Sequence, residues 1–304
     1  MVNSHDSSLN QNAPVRTAAT PSYLADLAQL VKFRLTMTVV LSAVMTYLIA
    51  APSGFSWMGV GLLALGGFLI TAASNALNQV LEREHDAQMK RTADRPVAAG
   101  RMKPSEAVGF AGICVLAGTT ILASFNPWTG LFGMIAFVSY AFLYTPLKRD
   151  SPIAITVGAV AGALPMLIGC VALQGGLTWL GATLFGIQFF WQYPHFYAIG
   201  WLGFEDYKKA GYRFIPERNG AASPNLGWYS SVLALALLPL VWVPWYLEVT
   251  GLFSAVVGTV LTLGYAGFGW NLHQQQDRRA ALALMFSSFA YLPGLLAVYF
   301  FDKI

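Results

Sequence analysis

Charge is what this sequence has least of. Asp, Glu, Lys and Arg make up 11% of its 304 residues, against about a quarter in soluble domains. No polar stretch is long enough to form a soluble domain, so a soluble protein is excluded. Cysteine is nearly absent too. Cys114 and Cys170 both fall in apolar segments, as buried structural thiols do, and they say nothing about redox compartment. The first 22 residues, MVNSHDSSLNQNAPVRTAATPS, lack the charged-then-apolar build of a secretory signal. They are also poor in Arg for a transit peptide. We read residues 1–24 as a disordered cytoplasmic tail and 25–304 as one domain.

What remains is apolar: 56% of residues are hydrophobic and the mean hydropathy is +0.55. A bilayer-crossing helix needs about 20 mostly apolar residues. Nine such segments occur, at 28–51, 57–80, 107–125, 128–146, 152–173, 177–200, 227–247, 252–270 and 282–300. The fold class predicted is all-α, a polytopic membrane protein of nine transmembrane helices. Runs such as GLLALGG and VGAVAGALP suit close helix–helix approach in lipid.

Charge alternates between the connections. The loops near 51–56, 126–127, 174–176 and 248–251 hold a single charge, Glu248. The connections 82–106, 147–151, 202–226 and 271–281, with the N-terminal flank, hold 17 of the 18 Lys and Arg residues. The positive-inside rule then puts the N-terminus inside and the C-terminus outside. The two long inside loops follow spans two and six, a spacing that suggests a tandem repeat with a site at its interface.

The second span runs straight into NALNQVLEREHDAQMKRTADRP, residues 75–96. If it stays helical to residue 86, Asn75, Asn78, Glu82 and Asp86 form one polar stripe about 16 Å long. Acids and amides on one face can hold Mg²⁺, which takes a carboxylate or two and fills its shell with substrate phosphates. The bases that follow, Lys90, Arg91, Arg95, Arg101 and Lys103, suit phosphate contact. Acids near a membrane interior are costly, which favours a Mg²⁺–diphosphate site over an ordinary solvated helix end. Two other stretches share that face. YTPLKRDSP at 144–152 offers Lys148 and Arg149, either as topological anchors or as diphosphate contacts. QFFWQYPHFYAIGWLGFEDYKKAG at 188–211 sets Gln188, Gln192 and His195 on one helical face, with Glu205 and Asp206 beyond. His195 there reads equally as a structural or a functional residue.

These residues resemble the UbiA-type intramembrane prenyltransferases, and within them the branch that prenylates haem. The resemblance covers nearly the whole chain from about residue 25. The superfamily's first motif maps to Asn78, Gln79, Glu82 and Asp86, with Gln79 replacing its first acid and Glu82 an Asp. MKRTADRP, YTPLKR and GAVAGALPMLIG also match. WQYPHF…EDYKKAG resembles the haem branch's second motif rather than the aspartate-rich form, so Gln192, His195, Asp206 and Tyr207 carry over individually.

The resemblance implies nine helices around a central cavity and farnesyl transfer from farnesyl diphosphate to a vinyl group of haem b, with Mg²⁺ as cofactor. It assigns Asn78, Glu82, Asp86 and Asp206 to metal and catalysis, with Glu205 as a weaker candidate. Lys90, Arg91, Arg95, Lys148 and Arg149 go to diphosphate, and His195 and Gln192 to haem. It also implies a bacterial inner membrane, and a haem A synthase or terminal-oxidase assembly factors as partners. A quinone-precursor or chlorin-type acceptor is the alternative within this chemistry. Two other classes fit less well. A transporter would set polar residues at the midplane, whereas these cluster at one surface. A haem electron carrier needs paired axial ligands, and of the four histidines His5, His85 and His273 lie in the tail or at loop edges.

Overall fold

Caps and breakers set the helix ends. The computed structural model describes residues 21–51 and 54–304. Most of the expected tail lies outside the described residues, and its last two, Tyr23 and Leu24, already belong to α1 (Tyr23–Leu30), capped by Ser22. The chain then breaks at Lys32, whose φ of 49° is left-handed, before α2 (Phe33–Ala50). The first expected span is therefore two pieces joined at a lysine. α3 (Trp57–Asp86) starts on a Ser56 cap and stays helical to Asp86, so its polar stripe is continuous. α4 (Pro104–Ala123) opens with a proline at its first turn, where no backbone donor is needed.

α5 (Pro127–Val138) passes through a π-helical turn, Ser139–Tyr144, into α6 (Thr145–Asp150). Pro146 explains the turn. It lacks an N–H and its ring disturbs the preceding turn, so one widened turn absorbs the misfit. The Thr145 hydroxyl donates to the Tyr140 carbonyl at 2.9 Å. The order continues with α7 (Ala154–Gln174), α8 (Trp179–Leu202) and the short α9 (Phe204–Lys209). A two-residue hairpin follows, β1 (Glu217–Arg218) against β2 (Ala221–Ala222), with Glu217 opposite Ala222. α10 (Leu226–Leu235), α11 (Leu237–Tyr246), α12 (Leu252–Gln275) and α13 (Arg278–Phe301) complete the bundle.

Among the described residues, eight helical segments are long and apolar enough to cross a membrane. The remaining expected span, the sixth, is α8 (Trp179–Leu202); it has the length, but its Gln, His, Trp and Tyr residues lower its hydropathy. Large apolar side chains face outward, Ile113 and Leu116 of α4 each 72% exposed, as lipid contact requires. α7 lies at the centre against α2, α5 and α8. Its small residues allow this: a Cβ at Gly169 would strike the Ala43 carbonyl oxygen and the Thr46 hydroxyl of α2. Gly169→Val is therefore expected to separate α2 from α7 and lower the folded yield and melting temperature. A melting curve like that of the parent protein would contradict this packing. Cys114 and Cys170 are both buried and unbridged.

The charge alternation has a structural counterpart. The four charged connections meet at one end of the bundle. Arg91 donates to Tyr207, the Arg213 amide to the Arg149 carbonyl, and Gln276 to the Pro224 carbonyl. At the opposite end Lys303 donates to the carbonyls of Leu48 and Ala51, which accounts for the one base outside the charged set.

Candidate active site

The stripe on α3 divides by chemistry. Its amides hold the break between α1 and α2. Asn75 donates to the Val31 carbonyl and the Thr36 hydroxyl, both at 3.1 Å, and Gln79 donates to the carbonyls of Gln29 and Leu30. The left-handed turn so fixed aims Lys32 inward, where its ammonium donates to Asn78 Oδ1 at 2.7 Å. Asn78 Nδ2 donates in turn to Thr145 beside the π turn, at 3.1 Å. A half-buried ammonium in that position gains from any added anion.

The acids meet bases. Glu82 and Asp86 are 1% and 0% exposed. Lys148 Nζ lies 3.2 Å from Glu82 Oε1, while Arg95 Nη1 lies 2.6 Å from Asp86 Oδ2 and 3.9 Å from Glu82 Oε2. Lys148 also lies 4.5 Å from the ring centre of Tyr212, with Tyr207 and Phe214 nearby. Arg91 reaches Tyr207 OH at 3.2 Å, and Arg149 Nη2 donates to the Leu81 carbonyl. Three cations thus contact the stripe that bears two acids. The local charge is positive before any ligand arrives, which suits a polyanion in a low-dielectric setting.

A model of the UbiA prenyltransferase family matches residues 39–291. The chain belongs to that family. Its similarity extends to the protoheme IX farnesyltransferase of Cytophaga hutchinsonii, 40% identical over 91% of this chain and 96% of that one. That of Christiangramia forsetii is 39% identical over 93% and 94%. The fold is that of solved UbiA proteins. A digeranylgeranylglyceryl phosphate synthase superposes with a TM-score of 0.75 at 17% identity, covering 92% of this chain and 98% of that one. A UbiA homolog from Archaeoglobus fulgidus bound to GPP and Mg²⁺ gives 0.68 at 15%, covering 90% and 99%. The protein is thus an integral membrane protein of the UbiA fold.

Within this UbiA chain the expected site residues separate into groups. Glu82, Asp86, Arg95 and Lys148 form one cluster, with Arg91 attached through Tyr207. Lys90 is exposed. Of the four expected metal ligands, Asn78 has its amide committed to Lys32 and Thr145. Asp206 is exposed on α9, whose one buried residue is Tyr207, with Ala210 buried just after it; Glu205 is exposed as well. Among the described residues Asp206 does not join Glu82 and Asp86 in a metal-holding group. Arg101, expected among phosphate-binding bases, instead grips Asp26 with two nitrogens and pairs with Asp94 at 2.8 Å, stapling the cap over α3 to α1.

Gln192 and His195 also face different helices. Gln192 donates to the Ala159 carbonyl of α7, whereas His195 Nδ1 lies 2.8 Å from Ser288 Oγ of α13. Ser288 spends its proton on the Met285 carbonyl at 2.5 Å, which assigns the imidazole proton to Nδ1 and leaves Nε2 with its lone pair.

Sequence reading missed Lys32 and Tyr212 and gave Thr145, within YTPLKRDSP, no role of its own. A lysine at the edge of the first apolar run was the one available signal for Lys32. Among the described residues no three of His, Cys, Asp and Glu gather as a metal cage. Even so, buried Asp86 Oδ1 has no hydrogen-bond partner and lies one helical turn from Glu82. That donor set fits Mg²⁺ completed by phosphate oxygens, not a cation caged by protein alone.

Proposed function

We propose that this prenyltransferase joins the farnesyl group of farnesyl diphosphate to a vinyl group of haem b, giving haem O and diphosphate. The observation that carries this reading is the buried cluster of Glu82 and Asp86 with Lys32, Arg95 and Lys148, in a chain 40% identical to a protoheme IX farnesyltransferase. The bond from farnesyl C1 to the diphosphate oxygen breaks, and its electron pair leaves with the diphosphate. Lys148, Arg95, Arg91 and Arg149, with Lys90 at the rim, hold that growing negative charge. Mg²⁺, held by Asp86 and Glu82, would supply further neutralisation of the leaving group. The rings of Tyr140, Tyr144 and Tyr207 line the same end and favour a developing allylic cation. The vinyl π electrons form the new carbon–carbon bond, and water adds hydroxyl and releases a proton. Pyrophosphate release that requires haem b is expected. Equal release with a quinone precursor and none with haem would move the acceptor elsewhere.

The acceptor reading gives His195 a role through Nε2, with Ser288 fixing the ring as the partners of ligating histidines do. His195→Ala is expected to weaken haem binding and shift its absorption spectrum while farnesyl diphosphate binding survives. Equal loss of both substrates, with less folded protein, would assign His195 to packing instead.

The site is read as facing the cytoplasm of a bacterial inner membrane. Single cysteines placed in 87–103 and 210–222 should label from the inner side and one at Ile304 from the outer side. Outer-side labelling of either long loop would reverse the orientation.

A further inference from the structure

Buried polar groups are almost always paired, yet several at the charged end of the bundle are not. Asp86 Oδ1, Arg149 Nε, His85 Nδ1 and Tyr212 OH are all buried without a partner. Tyr212 stands in their midst. Its ring lies 5.2 Å from that of His85 and 4.5 Å beneath the Lys148 ammonium. Its backbone is fixed on both sides: the Tyr212 amide donates to the Tyr207 carbonyl at 2.9 Å, and the Arg213 amide to the Arg149 carbonyl at 3.2 Å. Gly211, at φ 78°, makes the turn that delivers the ring.

Two of these groups are donors with nothing to donate to, the Tyr212 hydroxyl and Arg149 Nε–H. Burial, then Glu82 and Asp86, raises the phenol's pKa, so the hydroxyl keeps its proton. Unspent donors beside three cations call for an acceptor-rich anion. The unspent Asp86 oxygen calls for a cation or donor brought with it.

We propose that Tyr212 is a diphosphate-binding residue, its hydroxyl and Arg149 Nε donating to phosphate oxygens of the prenyl donor and of the released diphosphate. This rests on the farnesyl-transfer reading above and adds to it a contact from the segment after α9. It would also make that segment close on the leaving group.

The test uses the full-length protein in lipid nanodiscs, with inorganic pyrophosphate as competitor of farnesyl diphosphate. Tyr212→Phe keeps the ring, the His85 contact and the lysine contact, and removes only the hydroxyl. Loss of one hydrogen bond to a charged partner should raise the pyrophosphate inhibition constant and the farnesyl diphosphate KM by about 10-fold. The haem KM and the melting temperature should stay at parent values. Arg149→Lys keeps the charge, removes Nε–H and should move the same two constants. An unchanged inhibition constant in Tyr212→Phe overturns the proposal. So does a parallel rise in haem KM with a lower melting temperature, which marks a packing role. If the parent protein neither consumes farnesyl diphosphate nor responds to pyrophosphate, the farnesyl-transfer reading fails, and the proposal with it.

Discussion

Asp86→Asn should lower farnesyl transfer by about 10²–10³-fold while leaving the protein folded in the membrane. The asparagine is isosteric and its amide oxygen still accepts from Arg95, so the 2.6 Å contact at the end of α3 survives in neutral form. What disappears is the charge on Oδ1, the one buried carboxylate oxygen of the cluster with no protein partner. Activity measured against Mg²⁺ concentration checks the assignment. The variant should need much more Mg²⁺, or show no turnover at any concentration. Near-parent turnover with an unchanged Mg²⁺ requirement would place the metal away from Asp86.

Lys148→Met should be harmful in two ways. Its ammonium is the close partner of Glu82, 3.2 Å away and held among Tyr207, Tyr212 and Phe214. Removing it leaves a buried carboxylate whose one remaining ion-pair partner within 4 Å is Arg95 at 3.9 Å, a type of loss that costs about 3–5 kcal/mol. It also removes a cation from the leaving group, so kcat/KM should fall about 10²–10³-fold. The two effects can be separated by coupling. Adding Glu82→Gln to Lys148→Met removes the stranded charge, so the melting temperature should recover while activity stays low. Recovery of activity in the double variant would reduce Lys148 and Glu82 together to a structural ion pair.

Much of the architecture was legible because lipid imposes one rule on every span: about 20 apolar residues with their charges at the ends. α3 runs past its expected end at 80 to Asp86, which meets the condition the polar stripe needed. The start of α12 at 252 followed from pattern alone. Lys32 did not. A single lysine within reach of an apolar run reads as part of the span's flank, and only the amides of Asn75 and Gln79, more than forty residues away, fix its left-handed turn. Asp206 came from the family resemblance and not from spacing; α9 is a separate short helix that buries Tyr207 and leaves Glu205 and Asp206 exposed. Arg101 shows the limit of composition. One more base in a basic loop looks like a phosphate contact until Asp26, 75 positions earlier, is seen to hold it. The acids and bases that do converge, Glu82, Asp86, Arg95 and Lys148, were legible because the first two share a helix face and the others flank it.

The most direct measurement is the mass of the product. Purified protein in nanodiscs, given haem b, farnesyl diphosphate and Mg²⁺, should yield a haem heavier by one farnesyl group and one hydroxyl, with one pyrophosphate released for each. Unmodified haem b alongside a farnesylated quinone precursor or chlorin, when those are offered in the same mixture, would contradict the assignment of haem as the acceptor.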